Sequence, residues 1–263
     1  MGEFFSDFFG DGISALDIAI LVVGALIVVM AIVSLITSIY LMIKYVKFNR
    51  IKNSRGLTGV DAARKILDNN GLNDIKVSVT GSFIFGNSYS QYFKKVRLRR
   101  LTKNKQSITA LGMGSQKACL AVLDKEGDPD MKKRIVLTPI IFFGPVAFIP
   151  LVLIGVILDF LLFSSLGIMT VVFSLIGLLF YVLAFVMSVM TLKTEIKAQK
   201  KACEILIRDE LATQEEVDML KELFHLYNIQ YINDMIIAML ELIMRILMLI
   251  QKFSGEKSNS SND

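Results

Sequence analysis

Histidine occurs once in the 263 residues, at position 225, and tryptophan does not occur. One imidazole excludes most zinc sites and any chemistry that needs two. Without tryptophan, an interfacial belt at a membrane has to be built from Tyr and Phe. Two cysteines, Cys119 and Cys203, cannot form a disulfide framework. Charge is also scarce, at 20% of residues against 54% hydrophobic, and the mean hydropathy is +0.57. Those figures exclude a disordered chain and a disulfide scaffold and point to a membrane protein of one or two domains.

The apolar residues come in runs. Ile18 to Ile43 is uncharged over 26 residues, about 39 Å as a helix against a hydrocarbon core of about 30 Å. It is too long for a signal peptide, and no small-residue cleavage site follows. Ile135 to Leu192 carries one charge, Asp159, and its length fits two spans, 135–158 and 166–192. Asp159, Ser164, Ser165 and Gly167 mark the turn between them. Pro139, Pro145 and Pro150 predict a kinked or partly unwound helix in the first. Residues 235–251 are shorter and carry Glu241 and Arg245 at i,i+4, so a fourth span and a helix lying in the interface both remain open.

Residues 44–134 hold 20 Lys+Arg against 7 Asp+Glu, a net of +13, whereas residues 1–17 hold four acids and no base. The positive-inside rule puts the N-terminus outside and 44–134 in the cytoplasm. Basic residues beside an anionic leaflet are expected, and no aromatic-interleaved RNA motif is present, so no nucleic-acid partner is predicted. The start, Met1-Gly2-Glu3-Phe4-Phe5-Ser6, matches the loose myristoylation pattern. An outside terminus would not meet the transferase, and 1–17 reads as a Phe-rich interfacial segment. Residues 252–263 read as a disordered tail.

The polar part has its own order. Thr58-Gly59-Val60-Asp61 is a capping box opening a helix with Val60, Ala63, Ile66 and Leu67 on one face, closed by Asn69-Asn70-Gly71. Ile75, Val77 and Val79 alternate with polar residues, as do Val96 and Leu98 with Lys95, Arg97 and Arg99, giving strands of a small α+β unit. Residues 105–126 form a helix rich in small residues (Ala110, Gly112, Gly114, Ser115, Ala118, Ala121), which allows close helix approach. Two interior glycines cost about 1 kcal/mol each against alanine, so packing must compensate. A basic helix follows at 193–208. Thr213-Gln214-Glu215-Glu216 is a second capping box, and residues 193–234 read as cytoplasmic helices.

Further residues keep one register: Asn53-Ser54-Arg55-Gly56-Leu57-Thr58-Gly59, Ala63-Arg64-Lys65-Ile66-Leu67-Asp68, Asn70-Gly71-Leu72, Lys95-Val96-Arg97-Leu98, Gly127, Arg134, Pro139, Thr191-Leu192, Glu195, Ala198 and Ala202. Over about residues 53–202 the chain resembles the bacterial membrane zinc metallopeptidases of the YugP-like, neutral zinc metallopeptidase type. The resemblance implies a His-Glu-x-x-His motif on the small-residue helix, two histidines for zinc and a glutamate as general base. Its register falls on Gln116-Lys117-Ala118-Cys119-Leu120. Both histidine positions are thus Gln116 and Leu120, and the base position is Lys117, read as a solvated or lipid-facing lysine. Glu195 matches the family's third ligand. The family's Asp-His-Tyr-Asp stretch is matched by Asn87-Ser88-Tyr89-Ser90.

The expected fold is therefore a mainly α multi-pass membrane protein with three to four transmembrane helices and a small α+β cytoplasmic part, metallopeptidase-like, with no cofactor. The expected role is a pseudo-metallopeptidase of the cell membrane that interacts with a protein partner, with Lys95, Val96, Arg97 and Leu98 as a sheet edge open to a peptide. The rivals are an active peptidase with an unrecognised site and a transporter or channel component using Asp159. A nucleophilic Cys119 lacks a base in reach, and His225 reads as a packing or surface residue.

Overall fold

The computed structural model describes residues 14–80, 86–163 and 167–259. The interfacial and myristoylation readings of the N-terminus, the turn residues Ser164 and Ser165 and the last four residues lie outside them. In order the elements are α1 (Ala15–Phe48), α2 (Gly59–Asn69), β1 (Lys76–Thr80), β2 (Ser88–Ser90), β3 (Lys95–Arg99), α3 (Arg100–Lys103), α4 (Ile108–Lys125), α5 (Pro129–Phe163), α6 (Ile168–Arg208) and α7 (Gln214–Asn259). The fold is mainly helical with one small mixed sheet. Two compact units form: one holds α1 up to Leu35, α5 from Phe142, α6 up to Phe185 and α7 from Ile232, and the other holds Ile36–Ile141 and Val186–Tyr231.

Among the described residues the first unit is helical and shows apolar side chains outward, among them Leu21, Val28, Leu35, Leu161 and Leu179. Among the described helices, α1 and α6 are long and apolar enough to cross a membrane, and the apolar part of α5, Phe148–Leu162, is shorter. Helix α5 continues through Pro139, Pro145 and Pro150 without unwinding; such prolines are tolerated where neighbours re-satisfy the freed backbone groups. Asp159 is buried and fully used. It accepts from the backbone N–H of Gly167, Met169 and Thr170 and from the Thr170 hydroxyl, at 2.6–2.9 Å. It therefore caps α6 and complements its dipole. Glu241 and Arg245 take partners from other helices. The Tyr181 hydroxyl donates to Glu241 at 2.5 Å, and the Arg245 guanidinium lies 4.4 Å from the Phe148 ring centre. Helix α7 runs unbroken from Gln214 to Asn259, across the boundary read at 234–235 and through most of the expected tail.

The second unit carries the sheet. The Thr58 capping box forms in both directions, with Asp61 N–H on the Thr58 hydroxyl and Thr58 N–H on the Asp61 carboxylate. Ala62, Ala63, Ile66 and Leu67 are fully buried, and Gly71 at φ +65° turns the chain out of α2. The Thr213 box also forms. Its Glu216 carboxylate further accepts from the Ser54 backbone N–H and hydroxyl, tying the start of α7 to residue 54. Backbones of α2 and α4 meet at Gly59 and Gly114, where a Cβ on Gly114 would collide with the Gly59 carbonyl. This close approach is the compensation that glycine in α4 required.

The sheet order is β1-β3-β2, with β1 parallel and β2 antiparallel to β3. Val96 and Leu98 are fully buried, as their alternation predicted. The open edge read at Lys95–Leu98 is corrected. β3 is the central strand, Val96 pairing with Val77 on one side and Tyr89 on the other. An edge needs unpaired N–H and C=O groups, and the ladders on both sides of β3 use its own.

Candidate functional site

Helix α4 starts at the Ser107 cap, whose hydroxyl accepts from Ala110 N–H, and is buried over most of its length. Its small side chains let neighbours close in on it, and Gln116 and Lys117 face Glu195 of α6. Gln116 donates its amide N–H to Glu195 Oε2 at 2.7 Å, and Lys117 Nζ donates to the same oxygen at 2.7 Å. Arg134 of α5 donates Nη2 to Glu195 Oε1 at 2.8 Å and Nη1 to the Thr194 hydroxyl at 2.9 Å. A buried carboxylate thus joins three helices and faces two cations. Burial opposes ionisation of Glu195, which lies past the apolar residues of its helix, but the Lys117 and Arg134 charges prevail and hold its carboxyl below the usual range.

Three positions named from sequence, Gln116, Lys117 and Glu195, therefore converge across 79 and 78 residues of chain. Leu120, one turn beyond Gln116, is fully buried in the hydrophobic core. Lys117 is corrected: it is not a freely solvated lysine, because its side chain is mostly buried and its ammonium pairs with the Glu195 carboxylate at the cavity wall. Sequence names Arg134 only within the resemblance; its role as second cation depends on α5 passing α6, which no local pattern encodes. Arg99 reads from sequence only as an outward strand residue.

Asn87 builds the neighbouring wall. Its side chain accepts from Arg99 N–H at 2.7 Å and donates to the Thr102 hydroxyl at 3.2 Å, which anchors the chain before β2 to β3 and α3. Tyr89 donates to Asp124 of α4 at 2.7 Å, while Ser90 accepts from Phe93 N–H in the turn to β3. A cavity of about 500 Å³ opens among Asn87, Arg99, Gln116, Lys117, Glu195 and Tyr227.

Zinc is the metal that the motif register would imply, and the side chains do not fit it. Catalytic zinc takes about three protein ligands and an open water position. Here the ligand positions present an amide and a buried alkyl group, and the carboxylate already takes two donors on one oxygen and one on the other. A dication would also sit beside two fixed cations. Among the described residues no three His, Cys, Asp or Glu side chains group together. Cys119 is fully buried and its thiol is pushed up by that burial, the wrong direction for a nucleophile. His225 is exposed on α7 and borders a separate groove with Cys203.

A family model described as putative neutral zinc metallopeptidase matches residues 23–251, most of the chain. Among curated proteins, the "Putative membrane protease YugP" of Bacillus subtilis (strain 168) is 24% identical over 198 residues, covering 75% of this chain and 83% of that protein. No solved structure matches.

Proposed function

We propose that this chain, which belongs to the putative neutral zinc metallopeptidase family, is a pseudo-metallopeptidase of the cell membrane: inactive as a hydrolase and acting through interaction with, or regulation of, a membrane protein partner. The observation that carries the reading is Lys117 on Glu195 at 2.7 Å. A general base has to accept a proton from water, and an ammonium has no lone pair to do so. The carboxylate that a metal would use is matched by Lys117 and Arg134 instead. Purified full-length protein is expected to hold well under one zinc per chain by elemental analysis and to leave a peptide library uncut. One tightly held zinc per chain, or hydrolysis abolished by chelator, overturns the reading.

Membrane association is supported by α1, α6 and the membrane protease relative. The finer reading has three to four spans: 18–43, 135–158, 166–192 and, within the membrane or in its interface, 235–251. The N-terminus lies outside, and 44–134 and 193–234 are cytoplasmic. Its support is the charge step from residues 1–17 to 44–134. In a background lacking both native cysteines, an impermeant maleimide on intact cells should label Ser6→Cys and spare Ser78→Cys. The reverse pattern inverts the topology.

A further inference from the structure

We propose that the cavity beside Lys117 holds the headgroup of an anionic phospholipid, with its phosphate against Arg99 and Lys117 and the first carbons of its tails against Leu41 and Met42. The inference rests on the reading above in taking Lys117 as a fixed cation and not a vestige of a base. Charge argues for an anion. Among the described lining residues the charged ones are Arg99, Lys117 and Glu195, two cations against one carboxylate. Arg99 lines the same cavity, and no carboxylate among the described residues pairs with it. A concave wall carrying excess positive charge favours phosphate.

The rest of the lining argues for a lipid and against a small soluble anion. Leu41 and Met42 of α1 belong to it, and Met42 is 68% exposed. They are the last residues but one of the uncharged run that ends at Ile43, and Lys44, Tyr45 and Lys47 follow. Along a membrane-crossing helix, the change from apolar run to charge marks headgroup depth. Tyr45, Tyr227 and Tyr231 also line the cavity, three of the chain's seven tyrosines, and tyrosine is the residue this tryptophan-free chain has for that depth. About 500 Å³ lies within the range of small-molecule sites. It admits a glycerophosphate group and the first tail carbons, not a folded partner.

The test is native mass spectrometry of the full chain in neutral detergent, titrated with phosphatidylglycerol, with phosphatidylcholine and with phosphatidylglycerol in the presence of inorganic phosphate. One phosphatidylglycerol per chain is expected, at least tenfold preferred over phosphatidylcholine. Arg99→Gln, a change at an exposed side chain that folding tolerates, should weaken that binding about tenfold. Arg50→Gln, an exposed basic change outside the cavity, should leave it unchanged. Equal binding of the two lipids, an equal effect of the two arginine variants, or displacement by millimolar inorganic phosphate overturns the assignment. Zinc content and peptidase activity are separate readouts, so loss of lipid binding leaves the pseudo-peptidase reading standing, and a bound zinc sinks that reading without touching the lipid result.

Discussion

Glu195→Ala is expected to destabilise the protein by about 3–5 kcal/mol, the range for removing one partner from a buried ion pair. The side chains concerned are 7% exposed for Glu195, 12% for Lys117 and 19% for Arg134, so solvent does little to compensate the stranded cations. Gln116 would lose its acceptor as well. Lys117→Met in the Glu195→Gln background should cost much less than the two single losses added together, because the pair leaves as a unit. Unfolding midpoints in detergent check this, and a Glu195→Ala loss below about 1 kcal/mol would show that the triad is not a structural joint. A pH dependence follows with a definite sign. The folded Glu195 carboxyl titrates below its ordinary value, so its contribution is complete above the ordinary glutamate range and is lost as pH falls through the depressed folded value. Glu195→Gln should lack that acid-side loss.

Gly114→Ala should be as severe for a different reason. The added Cβ meets the Gly59 carbonyl oxygen, carbonyl carbon and Cα, all backbone, so α2 and α4 have to separate. Overpacking of this kind costs about 1–3 kcal/mol and more where nothing can yield; about 3 kcal/mol or failure to fold is expected. Gly112→Ala on the same helix is the control. Its Cβ meets only side-chain atoms, those of the buried Leu220, so the cost is repacking one side chain and not separating two backbones, and helix propensity offsets about 1 kcal/mol of it. Folded yield by size exclusion and the unfolding midpoint separate the two, and equal stability of both variants would refute the backbone-contact argument.

The first effect bears on the pseudo-peptidase reading: Glu195 joins α4, α5 and α6 by charge at the position that the resemblance implies for a metal ligand, whereas Gly59 and Gly114 set the separate approach of α2 to α4. Lys117 and Arg134 are the local counter-charges that favour the ionised form of Glu195.

Features governed by neighbours along the chain are legible in the sequence itself. Both capping boxes, the α2 face, the alternation that buries Val96 and Leu98, the uncharged runs and the small-residue character of α4 follow from helical and strand periods and from side-chain hydrogen bonds three residues apart. The resemblance adds a register, and with it the meeting of Gln116 and Lys117 with Glu195. What the sequence leaves open involves partners chosen by chain topology. β3 is central and not an edge because β1 and β2 flank it, and strand order is invisible to a strand's own alternation. Asp159 is an isolated charge in an apolar run by sequence; in the fold, the N-terminus of α6 supplies it with four donors. Arg134 reaches Glu195 across 61 residues of chain, and Lys117 pairs with it because burial strengthens attraction between opposite charges. Local periodicity specifies which face of an element is apolar; only packing decides which charges share the low-dielectric space between elements.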